Sequence, residues 1–412
     1  MKQFFKKPDE VAELRFGPLA SYLDAFATLL HDDGYAISTG RFQLQVFGDF
    51  SRWLESSGVV AERVTREHAN RYIHYRDRDK RRLGKRPDAV AAINRVLEFL
   101  QALAITPPAP LKPLTAAEKV VEEFGAFLFE QRGLSERTIV GYQRMALGFL
   151  RCVADGDQFD PSTLNAPNVY RFVQQHAAAY RKSKGRDVLN AVRSFLRFAH
   201  FRGYANTDLG EIVPRVANWS LASIPKSVSP AQIEKVLSTC DRTTRYGKRD
   251  FAILLLLARL GLRIGEVASL SLDNIDWETG TLIVSGKSGP RTLPLPQDVG
   301  EALAQYLSEI RPVTKSRAVF FTLRAPIREM KSHESFSGVV RRAMQQARIK
   351  SNGRGAHQFR HGLATELLRK GASIPEIGEI LGHQKIDSTM IYAKVDLVSL
   401  RKIAKRWPGG VQ

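Results

Sequence analysis

The chain has 412 residues, 43% of them hydrophobic, a formal net charge of +20 and a pI near 10. This is enough apolar material for two to four folded domains, and it excludes a disordered chain of low hydrophobicity. So large a basic excess points to a polyanionic partner, of which nucleic acid is the commonest.

The charge is uneven. Residues 1–113 carry a net +4, residues 114–212 a net +2, and residues 213–412 a net +14, so the electrostatic footprint lies in the C-terminal half. Cys152 and Cys240 form neither a disulfide framework nor a zinc-ligand spacing, and fit small core positions. The basic start Met1–Lys7 is not followed by an apolar leader segment, and the most apolar run, Phe251–Ala258, is far too short to cross a bilayer. The expectation is a cytoplasmic protein with access to DNA and no membrane association.

In chain order, residues 1–105 read as a helical domain with apolar residues three and four apart. The segment TPPAPLKP (106–113) has four prolines in eight residues and reads as a stiff linker. Residues 114–212 read as a second helical domain, opened by cap signals such as Ser135 with Thr138. A second linker, 213–227, carries Pro214 and Pro225, and residues 228–412 form a third domain of mixed pattern.

The first two domains look like tandem copies. HDDGYAISTGRFQLQVFGDFSRWL (31–54) resembles EQRGLSERTIVGYQRMALGFLRCV (130–153), with Gly34 on Gly133 and Phe50 on Phe149. Val64 and Tyr72 fall on Leu164 and Phe172, and Leu97 and Phe99 on Leu196 and Phe198. Three blocks in nearly one register argue for duplication of a unit of about four helices.

In the third domain, Ser229–Thr239, Arg249–Leu260 and Arg263–Leu270 look helical. TLIVSGKSGPRTLPLP (281–296) has β-branched runs around a glycine-bearing turn, the mark of a hairpin, and helical patterns return from Phe336 to Arg406. The fold class expected is mainly α with a small antiparallel β-sheet in the third domain.

Metal-free cleavage of DNA needs a nucleophile, cations for the non-bridging phosphate oxygens and an acid for the leaving oxygen. Tyr, Arg in fork geometry, and Lys or His suit these tasks. They occur here in distinctive contexts: Arg263 in GLRIGEVASL, Lys287 in SGKSGPRTLPLP, His357 and Arg360 in HQFRHGLAT, and His383 in EILGHQKIDSTMIYAKV, nine residues before Tyr392. Arg263 lies between apolar runs, where a charge needs a partner, and Glu266 three residues on can hold it. Arg291 rivals Lys287 for the hairpin position, and His361 reads as a residue that packs the helix or supports a neighbouring catalytic side chain, outside catalysis itself.

The order Arg, Lys, His-x-x-Arg, Leu-Gly-His, Tyr resembles the tyrosine recombinase (phage integrase) family, strongly over 228–406 and less specifically over 114–212 as the family's core-binding domain. The resemblance implies helical SAM-like N-terminal domains ahead of a tyrosine-recombinase catalytic domain. It implies that Tyr392 attacks the scissile phosphate to give a 3′-phosphotyrosyl bond. His357 would be the general base, Arg263 and Arg360 would clamp the phosphate, Lys287 would protonate the 5′-oxygen, and His383 would hydrogen-bond the phosphate. It further implies double-stranded DNA as partner, a tetramer on synapsed sites, sibling recombinases in some systems, and neither metal nor cofactor. A tail helix over Val395–Trp407 would pack on a neighbouring subunit. Gly362 stands where many relatives have a bulkier residue, which is expected to loosen local packing. A type I-B-like topoisomerase, a resolvase, and a non-catalytic DNA-binding regulator are the competing functions.

Overall fold

The structure is a computed structural model and describes residues 1–78, 88–107, 113–153, 159–160, 163–177, 182–215, 227–286, 289–349 and 355–395. Lys287 and the tail beyond Val395 lie outside the described residues, so the hairpin lysine and the tail helix have no structural account here. The chain divides into two compact units, Met1–Pro108 with Leu221–Gln412, and Ala109–Ser220.

The first domain comprises α1 (Pro8–Ala12), α2 (Leu23–Asp32), α3 (Ile37–Ser56), α4 (Arg66–Arg78) and α5 (Asp88–Ala102). The second comprises α6 (Ala116–Glu130), α7 (Glu136–Val153), α8 (Ala166–Ala177) and α9 (Lys182–Phe201). Each builds its own apolar cluster. The helix starts repeat at the offset seen in the sequence: α3 and α7 begin at 37 and 136, α4 and α8 at 66 and 166. The aromatic contacts repeat with them. Phe50 and Tyr72 lie 5.0 Å apart between ring centroids, and Phe149 and Phe172 5.1 Å. Phe26–Phe99 at 5.2 Å is matched by Phe124–Phe198 at 5.3 Å.

The third domain runs through α10 (Pro230–Leu237), α11 (Arg245–Arg259), α12 (Ile264–Ala268), strands β1 (Ile275–Asp276), β2 (Thr281–Gly286) and β3 (Gly289–Pro294), then α13 (Gln297–Glu309), α14 (His333–Gln346), α15 (Gly355–Arg369), α16 (Ile374–Leu381) and α17 (Asp387–Met390). Helix α11 is its centre: Ala252 to Ala258 are all buried, as a helix apolar on every side must be. It starts a turn earlier than the periodicity suggests because the Thr244 hydroxyl caps it, accepting from the Gly247 amide. The strands form one antiparallel sheet in the order β1-β2-β3, with Val284 opposite Arg291 and Gly286 opposite Gly289. In β2, Leu282 and Val284 point into the core and Ile283 outward. The protein is thus mainly helical with a small antiparallel sheet, as the sequence suggests.

Two sequence expectations change. The helix expected over Arg263–Leu270 covers only Ile264–Ala268, and Arg263 is its N-cap rather than its first residue. Gly362 tightens packing rather than loosening it. A Cβ there would meet the Val228 carbonyl oxygen at 2.5 Å, and the Val228 amide donates to the Gln358 carbonyl at 3.3 Å. The missing side chain lets the chain entering the domain lie against the backbone of α15.

Among the described residues, no helix is long and apolar enough to cross a membrane.

Candidate active site

Residues from four separate stretches meet at the turn after α16. That helix is closed at its start by a reciprocal Ser373–Glu376 capping box with Pro375 in the first turn, and at its end by Gly382 in the left-handed region at φ 62°. The left-handed residue turns the Leu381 and Gly382 carbonyls outward. Arg360 of α15 donates Nη2 to the Leu381 carbonyl and Nη1 to the Gly261 carbonyl at 2.8 Å. Arg263 donates Nη2 to the Gly382 carbonyl at 3.2 Å. Two guanidiniums far apart in sequence are thereby brought to one turn, with Arg360 buried and the Arg263 side chain 31% exposed.

Arg263 is aimed by Glu266. The Glu266 carboxylate is buried and accepts from the Arg263 backbone amide at 2.9 Å and from Arg263 Nη1 at 2.7 Å. Arg291 on β3 donates Nη1 and Nη2 to the same carboxylate, each at 3.0 Å. Burial alone would raise the Glu266 carboxyl, but the hydrogen bonds and charges of Arg291 and Arg263 outweigh it and hold it below its ordinary value.

His383 and Tyr392 complete the cluster. The His383 amide returns to the Gly378 carbonyl at 2.8 Å, and its Nδ1 lies 2.7 Å from the hydroxyl of buried Thr389. Burial, followed by the charges of Arg360 and Arg263, pushes the His383 imidazole down to about 4, so it is neutral at pH 7. Tyr392 sits in the turn just after α17, almost fully buried, with its ring centroid 6.5 Å from that of His383. Burial pushes its hydroxyl up to about 12 against the opposing pull of Arg360 and Arg263. Arg360 itself is lowered to about 10 by burial and by Arg263, and stays charged at neutral pH.

Five of the six residues singled out in the sequence are thus described, and four of them, Arg263, Arg360, His383 and Tyr392, converge. His357 is exposed, although it shares α15 with buried Arg360. The Tyr392 hydroxyl is hydrogen-bonded instead to Nδ1 of His361 at 2.9 Å, and the His357 ring lies 6.4 Å from that of His361. Sequence reasoning passed over His361. The signal available was its place one helical turn after His357, which sets the two rings on one stripe of α15.

Comparisons with known proteins show the family. Residues 226–397 match the phage integrase family and residues 121–203 match the phage integrase N-terminal SAM-like domain. A Sinorhizobium fredii protein named as an integrase/recombinase is 41% identical over 416 residues, covering all of both chains. The chain belongs to the phage integrase family. This tyrosine recombinase is also 29% identical to tyrosine recombinase XerD of Listeria monocytogenes over 70% of its own length and 98% of that protein's. Among solved structures, the XerH site-specific recombinase bound to its difH substrate superposes with a TM-score of 0.53 at 16% identity, covering 71% of this recombinase and 98% of XerH. The Tn1549 transposon integrase superposes with a TM-score of 0.50 at 17% identity, covering 68% and 97%. At these identities the superpositions speak for the fold.

Proposed function

We propose that this recombinase cuts and rejoins double-stranded DNA at specific sites through a 3′-phosphotyrosyl intermediate, in the integration, excision or transposition of a mobile element. The observation that carries the proposal is the Tyr392 hydroxyl, hydrogen-bonded to His361 beside the paired guanidiniums of Arg263 and Arg360. The full-length relative named as an integrase/recombinase and the concentration of basic charge in residues 213–412 support it.

In the proposed step Tyr392 Oη bonds to the scissile phosphorus, the P–O5′ bond breaks, and the negative charge growing on the non-bridging oxygens is met by Arg263 and Arg360. The family resemblance gives the tyrosine proton to His357; the 2.9 Å contact favours His361 as the acceptor. A Thr389 hydroxyl donating to His383 Nδ1 leaves the proton of this neutral imidazole on Nε2, where it can donate to a phosphate oxygen. Lys287, on the family pattern, protonates the leaving 5′-oxygen. The phosphotyrosyl bond conserves the energy of the phosphodiester, so attack by a 5′-hydroxyl of the partner strand reseals DNA without ATP. Resealing between sites calls for a tetramer, with sibling recombinases in some systems. Residues 1–105 we take as a duplicate of the SAM-like unit, on the strength of the repeated helix register and aromatic pairs.

The test is a suicide substrate, a target duplex nicked beside the scissile phosphate so that the short fragment carrying the freed 5′-hydroxyl diffuses away. Wild type accumulates a covalent protein–DNA adduct and Tyr392→Phe binds the duplex without forming one. Equal adduct from both proteins refutes the assignment.

A further inference from the structure

The Glu266 carboxylate is shared with an unusual evenness. Oε1 accepts from Arg263 Nη1 at 2.7 Å and Arg291 Nη1 at 3.0 Å; Oε2 accepts from the Arg263 amide at 2.9 Å and Arg291 Nη2 at 3.0 Å. Two arginines and one carboxylate leave one net positive charge. Exposure says where it emerges: the Glu266 side chain is 2% exposed, Arg291 13% and Arg263 31%. Arg291 is the inner, bidentate counter-ion, and Arg263 is the outer cation.

Arg291 is also built into the turn that carries His383. A Cβ on Gly382 would lie 2.7 Å from Arg291 Nη1 and 3.0 Å from its Cζ, so the guanidinium passes directly against that glycine. Its Nε is buried without a hydrogen-bond partner among the described residues, so that nitrogen faces neither solvent nor a further ligand there. Through β3 it is rooted two residues past the hairpin end, where Gly286 pairs with Gly289.

We infer that Arg291 is a positioning residue for DNA cleavage: it neutralises Glu266, so that Glu266 can aim Arg263 without cancelling the charge Arg263 presents to the scissile phosphate. Without Arg291, the buried carboxylate has Arg263 as its remaining strong donor and draws that guanidinium inward as its own counter-ion. The phosphate then loses both the aim and the net charge of Arg263. The inference rests on the proposed phosphoryl transfer at Tyr392.

The experiment is single-turnover cleavage of the suicide substrate by wild type, Arg291→Gln, Arg291→Lys and Arg263→Gln. It is run on the native phosphate and on the two methylphosphonate diastereomers, in which one or the other non-bridging oxygen becomes an uncharged methyl. Arg291→Gln is expected to cleave the native phosphate about 100-fold more slowly, as misplaced catalytic groups do, with duplex affinity in the range of wild type and a cooperative melting transition that shows it folded. Its deficit should shrink at least tenfold on the same diastereomer that rescues Arg263→Gln, and persist on the other. Arg291→Lys, keeping the charge and losing the bidentate pair, should fall between. The inference is overturned if Arg291→Gln cleaves within threefold of wild type, or if its deficit is equal on all three phosphates while that of Arg263→Gln is relieved on one. It is equally overturned if neither Arg291 variant folds, which would make Arg291 a stability residue. Absence of a wild-type adduct would remove the proposed function itself, which sets that failure apart from these.

Discussion

Replacing His361 with alanine tests how the nucleophile is activated. The Tyr392 hydroxyl is pushed up to about 12 by burial. At pH 7.5 ionising it unaided therefore costs about 6 kcal/mol, at roughly 1.4 kcal/mol per pH unit. A positioned general base recovers about 10²- to 10⁴-fold of such a barrier. The group in place is His361, 2.9 Å from the hydroxyl, whereas His357 is exposed on the preceding turn. His361→Ala is expected to slow single-turnover cleavage at least about 100-fold at pH 7.5. The rate of the variant should climb about tenfold per pH unit up to pH 9, as hydroxide takes over the proton. The assay is adduct formation on the suicide substrate across pH 6 to 9, with duplex affinity and melting measured in parallel to show that the variant still folds and binds. If His361→Ala stays within threefold of wild type while His357→Ala falls by 100-fold, the base is His357 and the His361 contact does not activate the nucleophile.

Two further outcomes concern stability. Folding depresses the His383 imidazole from its ordinary 6.5 to about 4, so the folded chain binds fewer protons than the unfolded one between those values. The associated stability is full above pH 6.5 and drains away as the pH falls toward 4; melting curves should show His383→Asn losing less of its melting temperature over that window than wild type, and parallel losses would contradict the argument. Gly362→Ala puts a methyl 2.5 Å from the Val228 carbonyl oxygen, an overpacked backbone contact worth about 1–3 kcal/mol; chemical denaturation of the two proteins measures it, and unchanged stability would mean that the entering chain yields freely.

Much of the site was legible because its residues sit in contexts that report their own geometry. A Leu-Gly-His after an amphipathic run announces a helix closed by a left-handed glycine, and α16 closes so at Gly382. The glycine-bearing turn between β-branched runs announces the hairpin, and β2 and β3 flank it. What stayed hidden were the contacts that tertiary folding alone decides. Spacing gives His357 and Arg360 a shared face, but it does not say which face of α15 meets Tyr392 31 residues on from His361, nor that Arg360 turns inward while His357 turns to solvent. Glycine at 362 looked like a loss because sequence shows the missing side chain and not the Val228 carbonyl that fills its place. Arg291 looked like a rival of Lys287 because both lie at one hairpin; only the register, which sets Arg291 opposite Val284, carries it inward to Glu266.

The arrangement of the two clamp arginines bears on how phosphate would be met. Arg360 spends one Nη1 and one Nη2 hydrogen on the backbone carbonyls of Gly261 and Leu381, and Arg263 spends one Nη2 hydrogen on Gly382. Each guanidinium carries five N–H donors in a rigid plane, so these bonds fix the plane without exhausting it. Neutral carbonyls orient a cation but do not cancel it, whereas a carboxylate in the same place would do both. The one carboxylate bonded to these arginines among the described residues, Glu266, is already balanced by Arg291. Burial lowers Arg360 only to about 10, so the charge is retained at neutral pH in a setting poor in water, where it acts strongly on an arriving anion. Orientation by uncharged acceptors and neutralisation of the single acid are what a site needs if its field is to be set before the phosphate arrives rather than rebuilt around it.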